Sequence, residues 1–280
     1  ELYGIQNWGN GYFSISDQGE VMVNPYKDND SVAISLMNII SGIRERGLEM
    51  PVLLRFENLL DAQISFLNNS FGEAMKKLNY KGEYRGVYPI KVNQQQQVVY
   101  EVTKFGQRYH HGLEVGSKAE LIAALSVMKD KEACLVCNGY KDEEFIDLGL
   151  YSVKMGFNCI FVIEMPGELD LVLERSQALG VQPNIGIRIK LSAKAGGHWT
   201  ESGGDRSIFG LNMSEVISIV DTLKERGMLS SLKLLHYHLG SQIPNIRDIR
   251  SAVLEATRVY AELVKEGAPM GYLDLGGGLA

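Results

Sequence analysis

Residues 112–139 read GLEVGSKAELIAALSVMKDKEACLVCNG. Two short apolar runs, each closed by a glycine, flank a stretch of helix length, so the segment has the form strand, helix, strand. The helix carries its own start signal. Ser117 is followed three residues later by Glu120, a pair able to satisfy the first free amides of a helix reciprocally. A connection that contains a whole helix joins parallel strands, since antiparallel neighbours need only a tight turn. The same alternation extends both ways. Upstream lies RGVYPIKV (85–92), and downstream come CIFVIEM (159–165), NIGIRIKL (184–191), LKLLHYHLG (232–240) and YLDLGGGL (272–279). Between them the spacing predicts helices over Ser117–Lys129, Asp142–Leu150, Glu168–Leu179, Met213–Arg226 and Arg247–Lys265, with Ser214 a candidate cap for the fourth. Seven strand units in series predict an α/β fold, a (β/α)8 TIM-like barrel rather than an open sheet. An eighth strand would be needed for closure. PVLLRF (51–56) is either a lead-in segment or a barrel strand, and the chain stops directly after YLDLGGGLA, so a truncated barrel missing its last strand is expected.

The N-terminus follows another pattern. WGNGYFSISDQGEVMVNP (8–25) alternates aromatic or β-branched residues with polar ones around a D-Q-G turn, which is a hairpin signal. Residues 1–27 are therefore assigned to a short β segment of a second, β-rich domain, and 28–280 to the barrel. A helix from about Ser31 to Arg46 leads between them.

Composition bounds the function. The 280 residues are 45% hydrophobic and 22% charged, ordinary for a globular chain. A formal charge of −6 offers no broad attraction for nucleic acid or acidic membranes, and no apolar run has membrane-span length. A cytoplasmic protein is expected. Cys134, Cys137 and Cys159 are an odd set, and in a strand the C-x-x-C pair points to opposite faces, so structural thiols are expected in place of zinc ligands.

In a parallel barrel the active site lies at the C-terminal ends of the strands. Reading each run to its end gives Lys91, Glu114 with Ser117, Asn138, Glu164, Arg188, His238 with Gly240 and Ser241, and Asp274 with Gly276, Gly277 and Gly278. Successive glycines at a strand end let backbone amides approach an anion such as phosphate. His236 and His238 share one strand face, and His238, nearer the end, is placed to lie against a planar ring. Lys91 sets an amine at the end of an otherwise apolar run. A lysine, a flat stacking face and a glycine-lined anion site together suit pyridoxal 5'-phosphate, whose aldehyde forms an imine with lysine. Burial would favour the neutral, nucleophilic amine.

YPIKVNQ, GLEVGSKAEL, CNGYKD, GGHWTESGGDRSIFGL, LLHYHLGSQ and YLDLGGGLA resemble the biosynthetic arginine decarboxylases, which are fold-type III, alanine racemase-like enzymes dependent on pyridoxal phosphate. The resemblance runs over nearly the whole chain. It implies decarboxylation of L-arginine to agmatine and CO2 on a polyamine route, in a homo-oligomer, a dimer or tetramer, with Lys91 and His238 catalytic. It further implies that Lys91, Glu114, Arg188, His238, Ser241, Gly276, Gly277 and Gly278 bind the cofactor. Magnesium is implied too, with no ligands assigned. Ile208 stands where the family pattern S-K-F-G has lysine, and the family's later E-P-G-R, cysteine and aspartate elements are absent, so a chain lacking some catalytic residues and weak or inactive by itself is expected. The alternatives are a non-catalytic pyridoxal phosphate-binding or regulatory barrel, a decarboxylase of ornithine, lysine or diaminopimelate, and a sugar-phosphate enzyme that uses Lys91 as an imine-forming residue.

Overall fold

Where apolar and polar residues alternate, the backbone extends so that one face is dry, and where they recur every three to four residues it coils. The structure, a computed structural model, describes residues 2–27, 32–192 and 207–278. It divides into two compact units: residues 1–84 with 104–106, and residues 85–103 with 107–280.

The first unit begins with a helical turn, α1 (Ile5–Trp8), then the expected hairpin of β1 (Phe13–Ile15) and β2 (Val21–Val23), paired antiparallel around Gly19 at φ 82°. The predicted helix from Ser31 is shorter than expected. Ile34–Ser35 instead form β3 against Met22 and Val23, and Ser35 caps α2 (Leu36–Glu45) by accepting from the amides of Met37 and Asn38. Ser31 itself lies outside the described residues. PVLLRF is not a barrel strand. It runs without regular structure, with Leu53 exposed, into the 21-residue helix α3 (Glu57–Lys77).

In the second unit, seven strands among the described residues form one parallel sheet bonded in chain order: β4 (Val87–Pro89), β5 (Gly112–Val115), β6 (Cys134–Cys137), β7 (Asn158–Ile163), β8 (Asn184–Ile189), β9 (Leu232–Tyr237) and β10 (Tyr272–Asp274). The sheet curls as a TIM-like barrel does. Val87 on the first strand and Tyr272 on the last both pack on one inner cluster, Cys134, Val136, Ile160, Val162 and Leu234. Asn158 on β7 donates to the Tyr272 hydroxyl on β10 at 3.1 Å, with two strands between them.

Residues of the other parity, including Leu113, Leu135, Phe161, Ile185 and Leu235, face the helices and form the larger core. Those helices are α4 (Gln96–Gly106), α5 (Lys118–Val127), α6 (Glu143–Lys154), α7 (Glu168–Leu179), α8 (Met213–Glu225) and α9 (Ile246–Lys265). Gly149 shows how tight this layer is. Glycine within a helix costs about 1 kcal/mol relative to alanine, yet a Cβ there would stand 2.5 Å from the Phe161 ring. Ser117 caps α5 as expected, whereas α8 is capped by Asn212 in a full capping box with Glu215. Ser214 is not the cap: its hydroxyl donates to the Asn212 side chain. Cys134 faces inward, while Cys137 and Cys159 face the helix layer with their sulfurs 3.5 Å apart; all three are buried free thiols.

Candidate active site

The parity that buries Val136, Val162 and Leu234 in the interior also decides what stands above them. Two residues further along the same strands are Asn138, Glu164 and His236, and the matching positions elsewhere are Glu114, Arg188 and Asp274. Arg188, His236 and Asp274 lie side by side in register across β8, β9 and β10. This is the C-terminal end of the sheet, where strand ends and their loops leave room for ligands.

His236 is almost fully buried, and its Nδ1 lies 3.0 Å from Asp274 Oδ2. The approach is a charge contact and not an aligned hydrogen bond, since Nδ1 has no such partner. Burial works against the charged imidazole, but the Asp274 carboxylate outweighs it and raises the His236 pKa. Asp274 moves the opposite way. Burial opposes its ionisation, and His236 together with the Gly276 amide holds it below the usual carboxylate range. At His238 the balance tips the other way, because Asp274 raises its pKa less than the other causes lower it. Burial, then the charges of Arg188, His236 and Lys91, push it down to about 4. A lowered pKa favours the neutral form of its ring.

The glycine run bends back over β9. Gly276 and Gly278 have φ of 64° and 92°, conformations that favour glycine. A Cβ on Gly276 would sit 2.5 Å from the Tyr237 carbonyl oxygen, and one on Gly278 2.0 Å from that of Gly240 and 3.1 Å from Ser241 Cα. Gly277 differs, for a Cβ there meets open space. The Gly276 amide is committed to Asp274 Oδ1 at 2.9 Å, and Gly278 O accepts from the Ile243 amide.

Lys91 lies just past β4, in a single 3-10 turn over Ile90–Val92, with Nζ 3.4 Å from Glu114 Oε1. The expectation of a buried amine is not met: the side chain is 67% exposed. It follows β4, which has one bonded neighbour among the described strands.

The structure thus places Lys91 beside Glu114, and His238 and Ser241 under the glycine bend, all at one end of the sheet. Arg188 is turned toward Glu164, its Nη1 2.5 Å from Oε1. The stretch GGHWTESGGDRSIFGL falls at 196–206 outside the described residues, His198 included; of the remainder, Ile208 is 83% exposed. Among the described residues no group of three or more His, Cys, Asp or Glu side chains is arranged to hold a metal.

Sequence reading missed three residues here. Glu120 accepts from the Gly116 amide at 2.7 Å and from Gln94 Nε2 at 3.1 Å, joining the loop after β5 to the one that carries Lys91. Lys141 and Glu168 form a buried pair at 3.2 Å. Glu120 was legible only as half of a capping box, and neither Lys141 nor Glu168 had a signal beyond its place at a helix start.

A family model described as pyridoxal-dependent decarboxylase, pyridoxal binding domain, matches residues 65–280. The chain belongs to the pyridoxal-dependent decarboxylases. Within that family it is similar to the biosynthetic arginine decarboxylase of Gloeobacter violaceus, 48% identical over 280 residues, covering 100% of this chain and 43% of that protein. It is similar also to the one from Prochlorococcus marinus, 43% identical over 278 residues, 99% of this chain and 43% of that protein. The crystal structure of the biosynthetic arginine decarboxylase from Campylobacter jejuni superposes with a TM-score of 0.89 at 36% identity, covering 100% of this chain and 45% of that one. The chain therefore spans 43% of the length of these curated decarboxylases.

The cofactor of this family is pyridoxal phosphate, and the residues present fit it. A cradle that Cβ atoms at 276 and 278 would fill, with open space over Gly277, suits a phosphate at backbone distance. A neutral imidazole and a reachable amine lie at the same end of the sheet.

Proposed function

We propose that this chain supplies the pyridoxal phosphate-binding barrel of an enzyme that decarboxylates L-arginine to agmatine and CO2, an entry step to polyamines. One observation carries the reading: a chain alike from end to end to proteins named biosynthetic arginine decarboxylase sets an amine, a neutral imidazole and a glycine bend at one barrel mouth. Lys91 would hold the aldehyde carbon, His238 would lie against the ring, and Ser241 with Gly277 and Gly278 would meet the phosphate. Gly276, whose amide already serves Asp274, contributes shape. When bound, the cofactor supplies the electron sink into which the electrons of the leaving carboxylate flow.

The remaining work falls to side chains. Glu114, 3.4 Å from the amine, steadies the Lys91 ammonium and offers a carboxylate to a proton leaving it. Arg188 adds positive charge that lowers the His238 pKa, and its guanidinium is paired with Glu164. The His236–Asp274 pair sits beneath and holds the start of the glycine bend.

Several finer points belong to the same proposal. The enzyme would work in the cytoplasm as a homo-oligomer, and residues 1–27 would be one edge of a β-domain. A net charge of −6 and the absence, among the described residues, of any helix long and apolar enough to cross a membrane accord with this.

The test is a visible spectrum of the full-length protein with pyridoxal phosphate, followed by amine-product analysis against arginine, ornithine, lysine and diaminopimelate. Agmatine from arginine as the main product is expected. A different preferred amine would reassign the substrate, and cofactor binding without any product would favour a non-catalytic barrel.

A further inference from the structure

Lys141 is a charged residue with no exposed side-chain surface, and Glu168 beside it is 5% exposed. No assigned role uses them. A buried ion pair is weak grounds for stability, because desolvation offsets most of the attraction. Its geometry suggests another purpose.

Glu168 Oε2 takes three donors: Lys141 Nζ at 3.2 Å, the Glu164 amide at 2.8 Å and the Met165 amide at 3.3 Å. Its other oxygen, Oε1, has no hydrogen-bond partner, so the lysine supplies the one cationic contact this carboxylate has among the described residues. Lys141 also donates to the Gly139 carbonyl at 2.8 Å. The Gly139 amide in turn donates to Glu164 Oε2, while Arg188 Nη1 donates to Glu164 Oε1. The result is a closed ring of bonds. It runs from Lys141 through Gly139 to the Glu164 carboxylate, and back through the Glu164 amide and Glu168 to Lys141. It clamps the ends of β6 and β7 together and presents Glu164 in one orientation to the guanidinium on β8. Gly139 is equally constrained, for at φ 73° a Cβ there would lie 2.7 Å from Gly116 O at the end of β5.

We propose that Lys141 and Glu168 are positioning residues: they fix the Glu164 carboxylate, and through it the Arg188 guanidinium, at the mouth where the cofactor binds. This rests on the reading of that mouth as a pyridoxal phosphate site. The full-length protein tests it, with the apoprotein's melting temperature and its affinity for pyridoxal phosphate, followed by visible absorbance, as separate readouts. In Lys141→Met/Glu168→Gln no buried charge is left unpaired, so the variant melts near the wild type. Its cofactor affinity falls about ten- to hundredfold, the range seen when groups supporting a site are lost. In a Glu164→Gln background the same pair of substitutions produces no further loss, since the route through Glu164 is already cut.

Wild-type affinity in the double variant, or losses that multiply in the Glu164→Gln background, overturns the proposal. Should the double variant fail to fold, Glu168→Gln alone carries the test. It keeps an acceptor for the two amides and discards the charge that holds Lys141, and the same two outcomes apply. Failure of the wild type itself to bind pyridoxal phosphate would overturn the underlying reading instead, which separates the two.

Discussion

Two lysines follow two strands of the same sheet, and they are treated in opposite ways. Lys91, after the end strand β4, is two-thirds exposed with a single 3.4 Å contact to Glu114. Lys141, after the interior strand β6, has no exposed side-chain surface and is held by both Gly139 and Glu168. The difference goes with position among the described strands. β4 has one bonded neighbour and three residues, whereas β6, β7 and β8 each have two neighbours and four to six residues. A group that must hold others still needs a rigid, dry surround, and the middle of the sheet provides that.

The contrast breaks most visibly at Lys91. In the full-length protein Lys91→Ala should lower decarboxylation by about 10^3-fold or more and abolish the visible absorbance of bound cofactor, while the apoprotein's melting temperature stays put. A melting temperature that drops sharply would place Lys91 among the structural residues. Lys141→Met alone is the converse. It strands a buried carboxylate and should cost about 3–5 kcal/mol of stability, measured by denaturant unfolding; a loss below about 1 kcal/mol would mean that the pair is no better than a surface contact.

Acid sharpens the comparison at the next level. His238 has its folded pKa pushed from 6.5 to about 4, so the unfolded chain binds more protons between those values. Stability is full above the unfolded value and falls as pH drops through that window, by up to roughly 3 kcal/mol. His238→Asn should flatten this part of the profile. The His236–Asp274 pair has the reverse sign on its histidine. With the His236 pKa raised, its contribution is complete below 6.5 and disappears as pH rises through the folded value; the Asp274 part disappears as pH falls through its own lowered value. Glycine substitutions give the smallest and finest contrast. Gly276→Ala combines a positive φ with a Cβ 2.5 Å from a carbonyl oxygen and should cost about 1–3 kcal/mol. Gly277→Ala meets open space and should change apoprotein stability by less than about 0.5 kcal/mol. Equal effects at both positions would contradict the bend described here.

Much of this architecture was legible in the chain. The hairpin around Gly19, the seven apolar runs and the Ser117 cap are local patterns, and local patterns survive folding. Helix α3 was not legible, for a reason that can be named. Its stretch NNSFG (68–72) has the composition of a turn, yet in the helix Asn68 Nδ2 donates to Ile64 O and Ser70 Oγ to Phe66 O, so these polar groups are satisfied without breaking it. The site was legible as a ring of polar strand ends. Which of its charges pair was not: Arg188 meets Glu164, 24 residues away, and Lys141 meets Glu168, 27 residues away.

By itself the sequence determined the elements and the parity of each strand, because alternation of apolar and polar side chains dictates which residues turn inward. Inward parity near a strand's C-terminal end is enough to group Glu114, Arg188, His236 and Asp274 on one face, with Lys91 and His238 expected just beyond it. Only the tertiary structure decided their partners and their exposure. Those depend on how adjacent strands are staggered, which is set by packing between segments far apart in the chain.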